Sequence, residues 1–234
     1  MVNVINFREK SFVPSFVLLL GAPGIGKGTQ SDLAIKDLKF LGANVLYVAS
    51  GDLCRAIARD PKHVLHVDFK EDSDVQKNKG ITLASDEMLY KILKHEFRQL
   101  NLSQYHYVFL DGVVRTSDQV IEVFDILSEV NDEYKYNLIL DYSATKETCM
   151  SRAASRLAKA KAKGEKSRAD DEPEEAEKRF EDYEKFSKEL GKLLKILGKE
   201  AYHKIQAEGE IDDIHRETMI NFIPSLKGFI SAKK

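Results

Sequence analysis

The feature that most restricts this chain is the stretch Gly21-Ala22-Pro23-Gly24-Ile25-Gly26-Lys27-Gly28-Thr29-Gln30. It follows the apolar run FVLLL at 16–20 and precedes a helix-compatible segment, SDLAIKDLKF, at 31–40. A strand, a Gly-rich turn and a helix in that order form the setting in which such a turn binds phosphate. The glycines let the backbone curl until successive N–H groups point at one anion, and the helix start adds a favourable dipole. Lys27 supplies a point charge for terminal phosphates. The general pattern, GxxxxGK, is usually followed at once by Ser or Thr. Here Gly28 takes that place and Thr29 comes one residue later.

A turn of this kind needs a sheet behind it. Five short runs rich in Val, Ile, Leu or aromatic residues read as strands: 15–20, 44–49, 107–110, 137–140 and 201–206. Helical stretches separate them, and the runs are nearly continuous instead of alternating, as in strands covered on both faces. The expected fold is α/β, a doubly wound parallel five-stranded sheet with helices on both faces. Two segments break the rhythm. Residues 56–84 are polar and too long for a simple loop. Residues 157–170, LAKAKAKGEKSRAD, read either as a solvated helical face with a flexible end or as a cationic lid. After them, Asp171 with Glu174 resembles a capping box and Pro173 suits a first turn. Phe180, Tyr183, Phe186, Leu190, Leu194 and Leu197 then recur at helical spacing and read as core.

Composition removes several classes. The chain has 234 residues, 43% of them hydrophobic, and a formal net charge of −2, so nucleic acid and anionic membranes are not expected partners. Cys54 and Cys149 form no CxxC pair and read as reduced small side chains. The apolar run Phe16–Leu20 is far too short to span a bilayer, and residues 1–15 lack the pattern of a signal peptide. A cytoplasmic monomer is therefore expected; Arg8 and Lys10 argue only weakly for organelle import. The six histidines are scattered, and His63 with His66 has no third ligand nearby in sequence. Neither a DxxG nor an NKxD element follows the phosphate loop.

The variant GxPGxGKGTQ resembles the adenylate kinase family of nucleoside monophosphate kinases, in their short-lid form. Further segments resemble the family in order: Ser50-Gly51-Asp52-Leu53-Cys54-Arg55, Leu110-Asp111-Gly112-Val113-Val114-Arg115-Thr116-Ser117-Asp118-Gln119, the pair Arg152 and Arg156, then Arg168-Ala169-Asp170-Asp171 and Arg179. The resemblance implies a core formed by 1–55, 85–156 and 169–234, a monophosphate-binding subdomain at 56–84 and a short lid at 157–168. It implies transfer of the γ-phosphoryl group of ATP to AMP, with Mg²⁺ as cofactor. ATP would meet Gly24, Ile25, Gly26, Lys27, Gly28, Thr29, Arg152, Arg156 and Gly209. AMP would meet Ser50, Arg55, Leu83, Ala84, Gly112, Arg115, Gln119, Arg168 and Arg179. The catalytic set would be Lys27 on the donor phosphates, Arg115 with Arg55 on the AMP phosphate, and Arg156, Arg168 and Arg179 on the transferring group; Asp111 would hold Mg²⁺ through water. Arginine suits such work because its fork binds phosphate bidentately and stays charged.

The chain departs from the family in the crossover after Arg55, which is longer than usual, and in the turn ahead of Arg115. The family's Phe-Pro ahead of the arginine is here Val113-Val114. A UMP/CMP kinase is the same-class alternative, although such enzymes resemble GFPRN, and Thr116 with Gln119 favours AMP. A nucleotide-binding ATPase module with a degraded monophosphate site is the alternative of a different class.

Overall fold

The computed structural model describes residues 14–79, 84–114, 116–130, 135–164, 172–197 and 201–222. Five strands, β1 (Ser15–Gly21), β2 (Val45–Ala49), β3 (Tyr107–Asp111), β4 (Lys135–Ser143) and β5 (Tyr202–Gln206), form one sheet in the order β2-β3-β1-β4-β5. Every pairing is parallel. All five apolar runs are thus strands. β4 is longer than its apolar run because ladder partners carry polar residues into it, Ser15 opposite Lys135 and Ser143 opposite Gln206.

Alternate residues of each strand feed two cores. Phe16, Leu18, Leu20, Val108 and Leu110 pack under α4 (Asp86–Gln99) and α5 (Ser117–Val130). Val17, Leu19 and Phe109 pack under α1 (Lys27–Phe40) and α8 (Ile211–Ile220). Both faces are covered, which is why the strands read as unbroken apolar runs. α7 (Pro173–Leu197) contributes Phe180 to one core and Phe186 to the other, while Tyr183 touches both. The side chains of Leu190, Leu194 and Leu197 lie outside the described residues. Pro173 is the first helical residue, and Ala176 N–H donates to Glu172 O at 2.9 Å. The cap position is therefore Glu172, and Asp171 falls one residue ahead of it, outside the described residues.

A third, smaller apolar cluster stands apart from the sheet. Ile57 of α2 (Ser50–Arg59) meets Met88 and Ile92 of α4, with Leu65 and, on α3 (His66–Asn78), Phe69 packed against them. Of the three buried residues only Ile57 lies within 56–84, so that segment packs onto α4. The segment 157–168 opens as the last turns of α6 (Lys146–Ala162), with Leu157 buried and Lys159, Lys161 and Lys163 exposed.

Candidate nucleotide site

β1 lies between β3 and β4, so the strand order reverses beside it. The crevice at the C-terminal ends of strands next to such a reversal is where α/β sheets bind ligands. The Gly-rich turn opens directly into that crevice. Gly24 has φ +80°, and a Cβ there would stand 2.3 Å from the Cys149 carbonyl oxygen of α6, so no side chain fits. Gly26, at φ +106°, turns the chain into α1 at Lys27. The first turn of α1 has no acidic residue, and Gly28 and Thr29 are exposed there. The start of α1 is thus exposed and free of acidic side chains in its first turn, which suits an anion.

Lys27 is held in place by backbone. Its Nζ donates to Gly21 O at 2.7 Å and Ala22 O at 3.3 Å, and stands 4.0 Å from Asp111 Oδ1. Only 16% of its side chain is exposed. Burial lowers its pKa; Asp111 opposes that shift, and the positive fields of Arg179 and Arg156 add to it. Arg156 and Arg179 are thus close enough to act on Lys27. Arg156 is exposed on α6 and Arg179 half-buried on α7.

Asp111 ends β3. Its Oδ2 accepts from Tyr47 Oη at 2.7 Å, and burial together with that carboxylate drives the phenol's pKa far up. Tyr47 was not legible as a site residue, because Asp111 lies 64 residues further along. An oxygen donor set of this kind suits a hydrated Mg²⁺, a hard ion that keeps several waters and binds through one or two carboxylates plus phosphates. Asp111 is the residue that would hold it. Gly28, in the place where a hydroxyl usually ligates the ion, offers none.

Arg152 joins the turn to the loop after β5. Its Nη1 donates to Ile25 O at 2.8 Å and to Ala207 O at 2.9 Å. Gly209 follows in the same loop, at φ +97°. The loop is fastened again by Glu208, whose carboxylate accepts from Thr145 N–H at 2.5 Å and Thr148 Oγ1 at 2.8 Å. Cys149, behind the turn, is buried, and burial raises its thiol to about 11, far from a reactive thiolate.

The expected acceptor residues gather around β2, β3 and α4. Ser50 is buried, and its Oγ donates to Gly112 O at 2.7 Å. Gly112 has φ +67°, and a Cβ there would crowd that Oγ at 3.1 Å. Val113 and Val114 are buried in the core with Leu89 and Leu93. Apolar anchoring thus fixes this turn, where a proline ring would do so in the family pattern. Arg55 pairs with Asp52, three residues earlier on α2. Ala84 packs against the small third cluster. Gln119 is 3% exposed; its N–H donates to Thr116 Oγ1 at 3.2 Å and its Nε2 to Asp86 Oδ1 at 2.7 Å. Asp86 was not anticipated from sequence, where it reads as a helix-start residue. Leu83, Arg115 and Arg168 lie outside the described residues.

His63 does have neighbours. His95 and Glu96 of α4 bring their ligand atoms within 4.8 Å of its own and of each other. However, His63 Nδ1 accepts from Leu65 N–H at 3.1 Å, which leaves the proton on Nε2, facing Glu96 at 3.4 Å. His95 and Glu96 were hidden from the sequence because they lie more than thirty residues from His63.

Comparison with known proteins agrees with this architecture. The chain is similar to adenylate kinase of Chlamydia trachomatis serovar L2, at 32% identity over 61% of this chain and 57% of that protein. It is similar to adenylate kinase of Oenococcus oeni at 23% identity, over 60% of this chain and 68% of that one. The match thus spans little more than half the length of the Chlamydia relative. Among solved structures, a gluconokinase from Sinorhizobium meliloti 1021 superposes with a TM-score of 0.51 at 10% identity, covering 95% of this chain and 99% of that chain. This last likeness concerns the fold. Among the described residues no helix is long and apolar enough to cross a membrane. A family profile described as an AAA domain matches residues 20–177, from the end of β1 into α7, and on that extent the chain belongs to the AAA-domain family of phosphate-loop proteins.

Proposed function

We propose that this protein is a phosphotransferase that moves the γ-phosphoryl group of ATP to AMP, giving two ADP. The observation that carries the reading is Lys27, held between the Gly-rich turn and Asp111, with Arg156 and Arg179 acting on it. Phosphoryl transfer concentrates negative charge on oxygens that must be neutralised and held in line. In this reading the amides of Gly24, Ile25, Gly26, Gly28 and Thr29 cradle the donor phosphates. Arg152 and Gly209 shape the wall beside the donor base. Arg156, Arg168 and Arg179 converge on the transferring group, and Arg55 and Arg115 hold the acceptor phosphate. Ser50, Ala84, Gly112, Leu83 and Gln119 line the acceptor nucleoside. Mg²⁺, held by Asp111 through water, would supply further charge neutralisation at the donor phosphates.

Adenylate kinases are what the chain is similar to by sequence, and their printed name favours AMP as acceptor. The buried amide of Gln119 favours it too, since an adenine edge asks for one donor and one acceptor. Residues 56–84 would close on AMP, and the cationic segment 157–168 would close over polyphosphate. We place the enzyme in the cytoplasm as a monomer.

An acceptor panel tests the reading. Purified protein with ATP and Mg²⁺ is offered AMP, CMP, UMP, GMP or gluconate, and product is followed by chromatography. AMP is expected to be used with the highest kcat/KM. Preference for UMP or CMP would replace AMP with the pyrimidine reading, and use of gluconate alone would remove the nucleotide acceptor altogether.

A further inference from the structure

Gln119 sits in the first turn of α5, with Thr116 as its cap. A Thr-x-x-Gln start is the pattern in which the Gln side chain turns back to its own cap. Here the Gln119 side chain instead sends its Nε2 across to Asp86 Oδ1 of α4, at 2.7 Å over 33 residues of sequence. Asp86 is the first residue of α4, directly after the cap Ser85, whose side chain accepts from Met88 N–H. An ionised carboxylate accepts hydrogen bonds and has none to donate. It therefore holds the nitrogen end of the Gln119 amide towards α4. Inverting the amide would put Oε1 against a carboxylate oxygen, two acceptors facing each other.

We propose that Asp86 is a positioning residue that fixes the Gln119 amide in one of its two orientations, and thereby makes the acceptor site select a 6-amino purine over a 6-oxo purine. The proposal rests on the reading of Gln119 as the base-contacting residue given above. Adenine presents an amino donor and a ring-nitrogen acceptor on the edge in question. Hypoxanthine has the same outline with the two roles exchanged, a carbonyl acceptor and a ring N–H donor. An amide free to invert would serve both bases equally. An amide held by a carboxylate meets one of them with matched partners and the other with donor against donor and acceptor against acceptor. A site built to hydrogen-bond one edge rejects the reversed edge strongly, because the mismatched groups stay unpaired.

The test compares AMP with IMP as acceptors, with ATP and Mg²⁺, in wild type, Asp86→Asn and Asp86→Glu. Asparagine keeps the shape of the side chain but can donate as well as accept, so the Gln119 amide can invert. The ratio of kcat/KM for AMP over IMP is expected to fall by about tenfold or more in Asp86→Asn, and to recover substantially in Asp86→Glu. A purely structural role would lower the melting temperature and leave the ratio where it was. If Asp86→Asn does not fold, Asp86→Ser, a small residue suited to a helix start and able to donate, carries the same expectation. An unchanged ratio in a folded variant overturns the role of Asp86 and leaves the AMP reading standing. A wild type that uses neither AMP nor IMP overturns the acceptor reading, and this proposal with it.

Discussion

The proposed donor and acceptor halves of the crevice hold their long polar side chains in different ways. On the donor side, Lys27 and Arg152 are fastened to backbone carbonyls of Gly21, Ala22, Ile25 and Ala207. Carbonyls of a strand end and its turn do not move independently of the sheet, so this half is built in advance of any ligand. On the acceptor side, Arg55 is paired with Asp52 and Gln119 with Asp86, side chain to side chain. At Arg55 the carboxylate partner can be exchanged for a phosphate at small cost, because one anion replaces another, whereas the Asp86 carboxylate keeps its hold on the Gln119 amide. The proposed donor half is thus fastened to the sheet, and the proposed acceptor half depends on side-chain pairs beside the cluster of Ile57, Met88 and Ile92.

The difference predicts unequal responses to mutation. Lys27→Met should have the largest effect, lowering kcat for transfer by about 10² to 10³-fold or more, since it removes a fixed charge from the reacting phosphates. Circular dichroism and thermal melting should report an intact fold, because a methionine loses no buried salt bridge closer than 4.0 Å. A variant that is folded and still turns over near the wild-type rate would break the donor half of the comparison.

Next comes the support behind the cradle. Asp141 of β4 is 3% exposed and accepts from Tyr183 Oη and Tyr202 Oη, both at 2.6 Å. Burial, with this carboxylate beside them, raises the pKa of both phenols far above normal. Tyr183 lies one turn beyond Arg179, so the network fixes the helix that carries that arginine. Asp141→Ala leaves these hydroxyls unpaired and should cost about 1–3 kcal/mol in urea unfolding. No change in the unfolding midpoint would mean that the tyrosines find other partners.

These responses also mark what could be read from the chain alone. The Gly-rich turn, the five strands and the two-sided sheet were legible because each is local: a spacing of glycines, an apolar run, a helical period. The partners of those local features were not. Tyr47 with Asp111, Gln119 with Asp86, Asp141 with its two tyrosines and His63 with Glu96 are all joined across the fold, at separations no spacing rule covers. Val113-Val114 illustrates the same limit. As sequence it reads as the loss of a turn-fixing proline, and in the fold both valines are buried anchors.

Two smaller effects sharpen the acceptor side and the loop beside the donor. Asp52→Ala frees Arg55 from a partly exposed pair, and should change stability by no more than about 0.5 kcal/mol while lowering KM for AMP, as read from initial rates. A raised KM would mean that Asp52 aims Arg55 instead of occupying it. Glu208 has its carboxyl pKa lowered, first by the Thr145 backbone N–H and then by the Thr148 hydroxyl. A carboxyl with a depressed folded pKa stabilises fully above its ordinary value and loses that contribution as pH falls through the lowered one. Melting of wild type against Glu208→Gln should therefore differ at neutral pH and converge on acidification below the ordinary carboxylate range. A constant difference down to that pH would rule the linkage out.

The central claim is that this crevice transfers a phosphoryl group between two nucleotides and does not merely hydrolyse one. A single-turnover experiment with ATP labelled at the γ-phosphate, excess enzyme and Mg²⁺, with and without AMP, tests it most directly. With AMP present, the label should appear in the β-phosphate of ADP at the rate ATP disappears, and without AMP the labelled ATP should persist. Label released as inorganic phosphate at the same rate in both conditions would contradict the account and identify an ATPase.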